Sequence, residues 1–341
     1  MTTELATKTT MTELAQIADT AAAAGIFATH NKARSENTRR AQRADLVILA
    51  DYLAAMMPDA PTAEELHSTP AAWAGISWGI VAGLIASMQR DGYAAGSIAR
   101  AVATVKRFAR LAFTAGCIDA TQHALIATVT APKARDASNV DAERAAAGLA
   151  TRRTTKRAIA TPITAEQRKA LLAQPDTPQG RRDAVIMALL IEHGLRVSEV
   201  ADLQVTGVDL AKGRLTFYRR KVDAWQTHAM TPASRAALVA WLPDAPAIGP
   251  LLRGSRKDGN LAGAGMTVAA IAARVNKLAA AAGVAARVSP HDLRHDWATS
   301  AADGGTDAFA LRDAGGWRSL AMPSRYVAAA AVANERVKLA R

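Results

Sequence analysis

The sequence contains a single cysteine, Cys117, among its 341 residues. One cysteine excludes a disulfide bond within the chain and leaves no set of cysteines that could build a zinc site. Low cysteine usage is typical of proteins in a reducing compartment. We therefore expect a cytoplasmic protein.

Long apolar segments are lacking as well. Charged residues interrupt every apolar stretch before it reaches the roughly 20 residues that cross a bilayer. The first residues include Glu4, Glu13 and Asp19, and the apolar run at 21–28 is short and dominated by alanine. That pattern is not a signal peptide. The expectation is a soluble protein that makes no contact with a membrane.

Acidic residues are in the minority. The chain has 30 Asp and Glu against 42 Lys and Arg, and its formal net charge is +12. Such a balance is expected of a protein that meets the phosphate backbone of a nucleic acid. Charge alone does not separate that partner from an ordinary basic protein, so the motifs must decide.

The sequence predicts a mainly α protein with two domains. Its length suffices for two cores of ordinary size. A small antiparallel β-sheet is expected from strands at 214–221 and 226–230, joined by a turn around 222–224. The predicted segments are a flexible leader at 1–35, a helical N-terminal domain at 36–132, a basic linker at 133–162 and a mainly helical second domain at 163–341.

Two amphipathic helices in the N-terminal domain carry basic residues away from their apolar faces. The first begins at Asn37 and buries Leu46, Leu49, Tyr52, Leu53 and Met56. The second begins at a Ser97 cap, ends at Gly116 and buries Ile98, Val102, Val105 and Ala109. A solvated surface is the commoner explanation of such charges, and DNA binding is the alternative. The candidate DNA-binding residues are Arg39, Arg40, Arg43, Arg100, Lys106, Arg107 and Arg110 on these helices, with Arg152 and Arg153 in the linker.

The segment SPHDLRHDWATSAADGG at 289–305 carries the densest set of chemical groups. Ser289 and Pro290 begin a helix on which His291 and Arg294 share one face. An arginine fork can grip two phosphate oxygens while a neighbouring imidazole moves a proton. His291 and His295 also have the spacing of a zinc pair, but Asp292 replaces the usual Glu and no third ligand is evident. No metal site is therefore predicted.

Two further segments supply candidates. GLRVSEV at 194–200 carries Arg196 with Glu199 one turn later, which by itself could be a surface ion pair. DAGGWRSLAMPSRYV at 313–327 carries Trp317 and Tyr326. The chain has four tyrosines, of which the other three lie on an apolar helix face, in a glycine-flanked loop and in a strand. Tyr326, after a loop with a proline, is the best candidate for a nucleophile.

Taken in order, Arg196, Lys221, His291-x-x-Arg294, Trp317 and Tyr326 resemble the active-site signature of the tyrosine recombinase or phage integrase family. The resemblance extends from about residue 37 onward and is strongest after 180. The tryptophan in AGGW and the linker text NVDAERA look particularly like the Cre branch of this family.

The resemblance implies a tyrosine recombinase fold, with a core-type DNA-binding domain before a catalytic domain. Tyr326 would attack the scissile phosphate, form a 3′-phosphotyrosyl ester and release a 5′-hydroxyl. Arg196 and Arg294 would stabilise charge on the phosphate without metal or ATP. The remaining implied roles are proton movement by His291, protonation of the leaving oxygen by Lys221, an indole N–H to phosphate from Trp317 and acidic support from Glu199.

Some implied features are less specific. Lys212 lies close to Lys221 in the sequence, and Arg219 and Arg220 flank the same turn. Pro323 departs from the family pattern in the loop before Tyr326. The family also implies a homotetramer that clamps two DNA duplexes at specific sites, with the C-terminal helix docked into a neighbouring protomer.

Two other functions stay open at this point. A DNA-relaxing or hairpin-forming enzyme would use the same residues, and an architectural or regulatory DNA-binding protein could retain the fold without strand transfer. The complete set of catalytic residue types argues against the second. The residues do not choose a target sequence, nor do they choose among integration, excision and resolution of replicon dimers.

Overall fold

A computed structural model describes residues 10–132, 142, 145–148, 160–256 and 260–330. The chain divides into two compact units, Met1–Arg157 and Ala158–Arg341, and the division falls within the predicted linker. The mainly helical fold with small antiparallel sheets is confirmed. Arg152 and Arg153 lie outside the described residues. No described helix is long and apolar enough to cross a membrane.

The described part of the first unit is helical. Its helices are α1 (Met11–Lys32), α2 (Glu36–Ala54), α3 (Ala63–Ser68), α4 (Trp78–Arg90), α5 (Ala95–Thr114) and α6 (Ala120–Thr128).

Helix α1 lies within the segment 1–35 that was predicted as a leader. A capping box between Thr10 and Glu13 starts this helix, because the two side chains satisfy backbone N–H groups that lack partners in the helix. Phe27 from its second half is fully buried and meets Phe108 of α5 edge to face, with ring centres 5.3 Å apart. His30, one turn later, is also buried and its ring centre lies 5.5 Å from that of Phe108, so two side chains in an alanine-rich sequence anchor the helix.

The two predicted amphipathic helices are present with small differences. In α2, Leu46, Leu49 and Leu53 are buried, but Met56 is 55% exposed beyond the last turn, so its predicted burial was wrong. In α5 all four predicted stripe residues are buried. That helix begins at Ala95, two residues before the predicted Ser97 cap.

The second unit surrounds a buried helix. Its helices are α7 (Ala165–Leu172), α8 (Pro178–Ile191), α9 (Val197–Asp202), α10 (Pro232–Trp241), α11 (Val268–Ala281), α12 (Pro290–Asp303), α13 (Ala308–Gly315) and α14 (Ala321–Ala330). Every residue of α8 from 185 to 191 is buried. The predicted caps Thr164, Thr231 and Ser289 all accept hydrogen bonds from the first turns of α7, α10 and α12.

Three strands form an antiparallel sheet in the order β1 (Val208–Asp209), β2 (Arg214–Arg219) and β3 (Ala224–Ala229). Strand β2 ends at Arg219, which pairs with Ala224, so Lys221 lies in the turn and not at the strand end that was predicted. Asp223 in this turn has a φ of 56°. A second hairpin, β4 (Arg253–Ser255) with β5 (Leu261–Gly265), was not predicted because its strands are short and rich in glycine.

Candidate active site

Arg196 caps the start of α9 and Glu199 lies in its first turn, shortly after the glycine that follows α8. Gly194 has a φ of +58°, and a Cβ there would lie 2.2 Å from the Trp297 ring, so glycine is required. The Arg196 guanidinium donates to Glu199 Oε1 over 2.8 Å and to the Gly316 carbonyl over 3.1 Å. Glu199 also accepts the backbone N–H of Arg196. The predicted pair is therefore part of a larger network, not an isolated surface ion pair.

Arg294 is buried on α12, on the turn that the Ser289 cap and Pro290 begin. Its guanidinium donates to the carbonyl oxygens of Gly194 and Gly315. The guanidinium carbon lies 4.5 Å from the centre of the Trp317 ring, a cation–π contact. Arg294 therefore links α12 to the backbone at Gly194 and at Gly315.

Arg219 is the central residue that the sequence prediction missed. Its side chain is 1% exposed and donates to Glu199, to the carbonyls of Ala314 and Gly315, and to Gln226. The alternation of strand β2 could have revealed it, because residues two apart share one face of a strand. Leu215, Phe217 and Arg219 are all buried on that face.

Two of the three guanidinium groups bind one carboxylate, and the third binds backbone carbonyls. Glu199 pairs with Arg196 at 2.8 Å and with Arg219 at 3.2 Å, while Arg294 contacts carbonyl oxygens. The pKa of Arg294 is lowered to about 9, mainly by burial and to a smaller extent by repulsion from Arg196 and Arg219. Burial also lowers the pKa of Arg219 to about 10, with Glu199 opposing the shift. Burial is the larger cause of both shifts, and a bound anion such as phosphate would favour the charged form of either arginine.

Tyr326 lies on α14, with Pro323 in the first turn of that helix. The prediction of a loop before Tyr326 was wrong, since proline is tolerated in a first helical turn. The tyrosine is 9% exposed and packs with Ala298, Ala302 and Leu311. Tyr326 therefore has a packing role beside its candidate chemical role.

The surroundings of Tyr326 connect it to the arginine cluster. Its ring centre is 5.0 Å from His295 and 6.1 Å from Trp317. Burial raises the pKa of the phenol, and the charge of Arg294 opposes that shift. Trp317 in turn covers Gly315, where a Cβ would lie 1.8 Å from the indole ring.

His291 and Lys221 are placed differently from the other candidates. His291 is exposed on the first turn of α12, and Lys221 is exposed in the turn between β2 and β3. The structure therefore brings Arg196, Glu199, Arg294, Trp317 and Tyr326 together and leaves these two on the surface. Within the described residues, no group of three or more His, Cys, Asp and Glu side chains could hold a metal ion.

The candidate DNA-binding residues of the first unit fall into two groups. Arg39, Arg40, Arg43, Arg107 and Arg110 are exposed, and Arg43 makes a 3.7 Å ion pair with Glu64. Arg100 and Lys106 are engaged within the unit. Arg100 binds the fully buried Asp45 at 2.9 Å, and Lys106 donates to the Ala127 carbonyl over 2.8 Å.

A tyrosine beside a cluster of arginines with excess positive charge defines a site suited to phosphoryl transfer. The chain belongs to the phage integrase family, whose family model matches residues 162–332. The predicted family is therefore confirmed. The narrower resemblance to the Cre branch stays a prediction.

Individual relatives agree with this assignment. The chain is 28% identical to the tyrosine recombinase XerC of Rhodospirillum centenum, over 89% of this chain and 80% of the relative. It is 34% identical to the tyrosine recombinase XerD of Xanthomonas axonopodis, over 50% of this chain and 59% of that relative. It spans 54% of the XerC of Myxococcus xanthus, so several relatives are matched over little more than half their length.

Solved structures share the fold. A lambda integrase dimer bound to a COC′ core site matches with a TM-score of 0.58 and 14% identity, over 89% of this chain and 94% of the other. The Tn1549 transposon integrase in complex with transposon right end DNA matches with a TM-score of 0.57 and 17% identity, over the same shares of the two chains. Identities this low carry the fold alone.

Proposed function

We propose that the chain is a site-specific DNA recombinase that cuts a DNA strand with the phenol oxygen of Tyr326. Recombination is the function that the family and its tyrosine recombinase relatives support. The observation that carries the chemistry is the arginine cluster of Arg196, Arg219 and Arg294, whose positive charge exceeds that of its one described carboxylate, Glu199. Tyr326 adjoins this cluster through Trp317.

The arginines bind and polarise the scissile phosphate. The partly exposed guanidinium of Arg196 and the guanidinium of Arg294 hold non-bridging oxygens, and they stabilise the charge that develops during attack. Trp317 adds its indole N–H to a phosphate oxygen. Glu199 keeps Arg196 and Arg219 in place. These groups already carry the charge that a metal ion would otherwise supply, so we expect the reaction to run without one.

The covalent step exchanges one phosphate ester for another. The Tyr326 oxygen forms a bond to phosphorus while the bond from phosphorus to the 5′ oxygen breaks. His291 assists removal of the phenolic proton, and Lys221 protonates the leaving 5′ oxygen. Because one ester replaces another, the energy of the bond is retained and ATP is not required. Attack by a 5′-hydroxyl of the partner strand then completes the exchange.

A raised phenol pKa has a consequence for this step. A phenol is neutral at ordinary pH and burial raises the pKa of Tyr326 further, so the hydroxyl must lose its proton as it attacks. A nearby base is therefore needed, which supports a role for a histidine of α12. We assign the role of base to His291 because it occupies the histidine position of the family signature. His295 is the histidine in contact with the Tyr326 ring.

Double-stranded DNA is the partner that the family assignment supports. We further propose a homotetramer on two duplexes, acting in the cytoplasm at a specific recombination site. The exposed basic residues of the first unit would bind phosphates along that site.

The two other functions make different demands on the site. A silent DNA-binding protein has no need of a tyrosine held against a buried arginine cluster. A DNA-relaxing enzyme has that need, and it differs only in what happens after cleavage.

One experiment separates the three. DNA selected by the protein from a random library is made into a nicked duplex, incubated in EDTA and run on a denaturing gel. A covalent adduct together with recombined product supports the recombinase. Plasmids that lack the selected site are incubated in parallel, and an adduct together with relaxation of these plasmids indicates the relaxing enzyme. Sequence-specific binding without an adduct indicates a DNA-binding protein that performs no strand transfer.

A further inference from the structure

The C-terminal end of α13 is held by side chains from the β2–β3 hairpin. The Asp313 carbonyl accepts from Gln226 over 2.7 Å, the Ala314 carbonyl from Arg219 over 2.6 Å, and the Gly315 carbonyl from Arg219 over 2.9 Å. The last carbonyls of a helix lack partners within it and carry partial negative charge. A cation from β2 and an amide from β3 therefore cap this helix.

We propose that Arg219 is a positioning residue for DNA cleavage. It holds the hairpin turn that carries Lys221 against the segment 314–317, which leads to Trp317 and Tyr326. The inference rests on the proposed function. Arg219 lies two residues before Lys221, so a shift of the strand end moves the turn. Its Nε also binds Gln226 on the neighbouring strand, which ties both strands to the same anchor.

The contacts require a guanidinium group. Arg219 uses Nε, Nη1 and Nη2 toward different acceptors, whereas an ammonium group would present a single centre. Gly316 leaves space for the Arg219 side chain, because a Cβ at position 316 would lie 2.6 Å from Arg219 Cδ. The Arg219 guanidinium carbon also lies 4.9 Å from the centre of the Phe217 ring. A lysine would keep the charge and lose this geometry.

The test uses two substrates that differ in the leaving atom. In one, the selected site has an ordinary phosphodiester. In the other, sulfur replaces the bridging 5′ oxygen, and a thiolate leaves without needing a proton because its pKa is low. A defect in the protonation of the leaving group is therefore rescued by sulfur, whereas a defect in the nucleophile or in overall folding is not.

We expect Lys221→Ala to slow phosphodiester cleavage by about 100-fold, the usual size of a general-acid contribution. Arg219→Lys should slow it by about tenfold, since the acid is displaced rather than removed. On the sulfur substrate both variants should come within about threefold of the wild-type rate. Arg214→Lys is the matched control. Arg214 is exposed at the other end of β2, and its variant should keep wild-type rates on both substrates.

Equal losses for Arg219→Lys on the two substrates, or wild-type rates on both, would overturn the positioning role. If circular dichroism shows that Arg219→Lys does not fold, the same comparison is made with Gln226→Leu. This change removes the contacts with Arg219 and Asp313 from the neighbouring strand and is judged by the same two outcomes. Failure of the wild-type protein to cleave either substrate would instead contradict the proposed function itself.

Discussion

Glu199 binds the guanidinium groups of both Arg196 and Arg219, with N–O distances of 2.8 Å and 3.2 Å. Glu199 thereby links the start of α9 to the end of β2 within the second unit. It also means that one carboxylate supports most of the charge in the candidate site.

Replacement of Glu199 should therefore destabilise the protein. Glu199→Gln leaves the buried Arg219 without its negative partner, and the free energy of unfolding should fall by about 3 kcal/mol. Urea denaturation measures the change. Asp202→Asn is the control on the same helix, because Asp202 makes an exposed pair with Arg220 and its loss should cost under about 1 kcal/mol. Equal effects of the two substitutions would contradict the central place of Glu199.

The tryptophan above Arg294 should affect cleavage more than binding. Trp317→Phe keeps an aromatic face for the cation–π contact but removes the indole N–H, so the cleavage rate should fall by about tenfold if a phosphate hydrogen bond is lost. DNA affinity should change by less than about threefold. Trp225→Phe, at a 71% exposed position, is the control for removal of an indole. A wild-type cleavage rate for Trp317→Phe would exclude the role of its N–H.

Loss of an exposed basic residue of the first unit should weaken DNA binding, whereas loss of a basic residue engaged within the unit should weaken folding. Arg110→Ala, at an exposed position, should leave stability unchanged and lower the slope of log affinity against log salt by about 1. Arg100→Ala should instead lower the free energy of unfolding by about 2 kcal/mol, because it removes the ion partner of the buried Asp45. Fluorescence anisotropy at several salt concentrations and urea denaturation measure the two quantities. A salt slope unchanged by Arg110→Ala would remove it from the DNA surface.

A histidine pair in the second unit, with His193 buried and His228 partly buried, predicts acid sensitivity. His193 and His228 face each other with Nδ1 atoms 3.4 Å apart, and burial lowers the pKa of each to about 4. Below pH 6.5 the unfolded chain binds protons that the folded chain refuses, so stability falls between pH 6.5 and pH 4. Between pH 7 and pH 5 the wild-type protein should lose about 2 kcal/mol more than His193→Gln. Equal losses, measured by urea denaturation, would contradict a neutral pair.

Much of the second unit could be predicted because its signals are local. Caps such as Thr164 and Ser289 act on residues within one turn, and the motif residues Arg196, Arg294, Trp317 and Tyr326 were recognisable by type and order. Their meeting in one site follows from the family resemblance and was not visible in any single motif.

The features that were missed depend on distant partners. Helix α1 is anchored by Phe27 against Phe108, a contact that no local pattern reveals. The alternation of β2 indicates a buried position for Arg219, but its role depends on distant acceptors, Glu199 and the carbonyls at the end of α13. The helix around Tyr326 was hidden by Pro323, which a first turn accommodates.

The identity of the nucleophile is the central claim, and a covalent trap tests it most directly. The wild-type protein is incubated in EDTA with a nicked duplex of its selected site, and the adduct is digested and mapped by mass spectrometry. We predict a nucleotide on the peptide that contains Tyr326, no adduct with Tyr326→Phe, and an undiminished adduct with Tyr218→Phe. An adduct that persists in Tyr326→Phe, or one that maps to another tyrosine, would contradict this prediction.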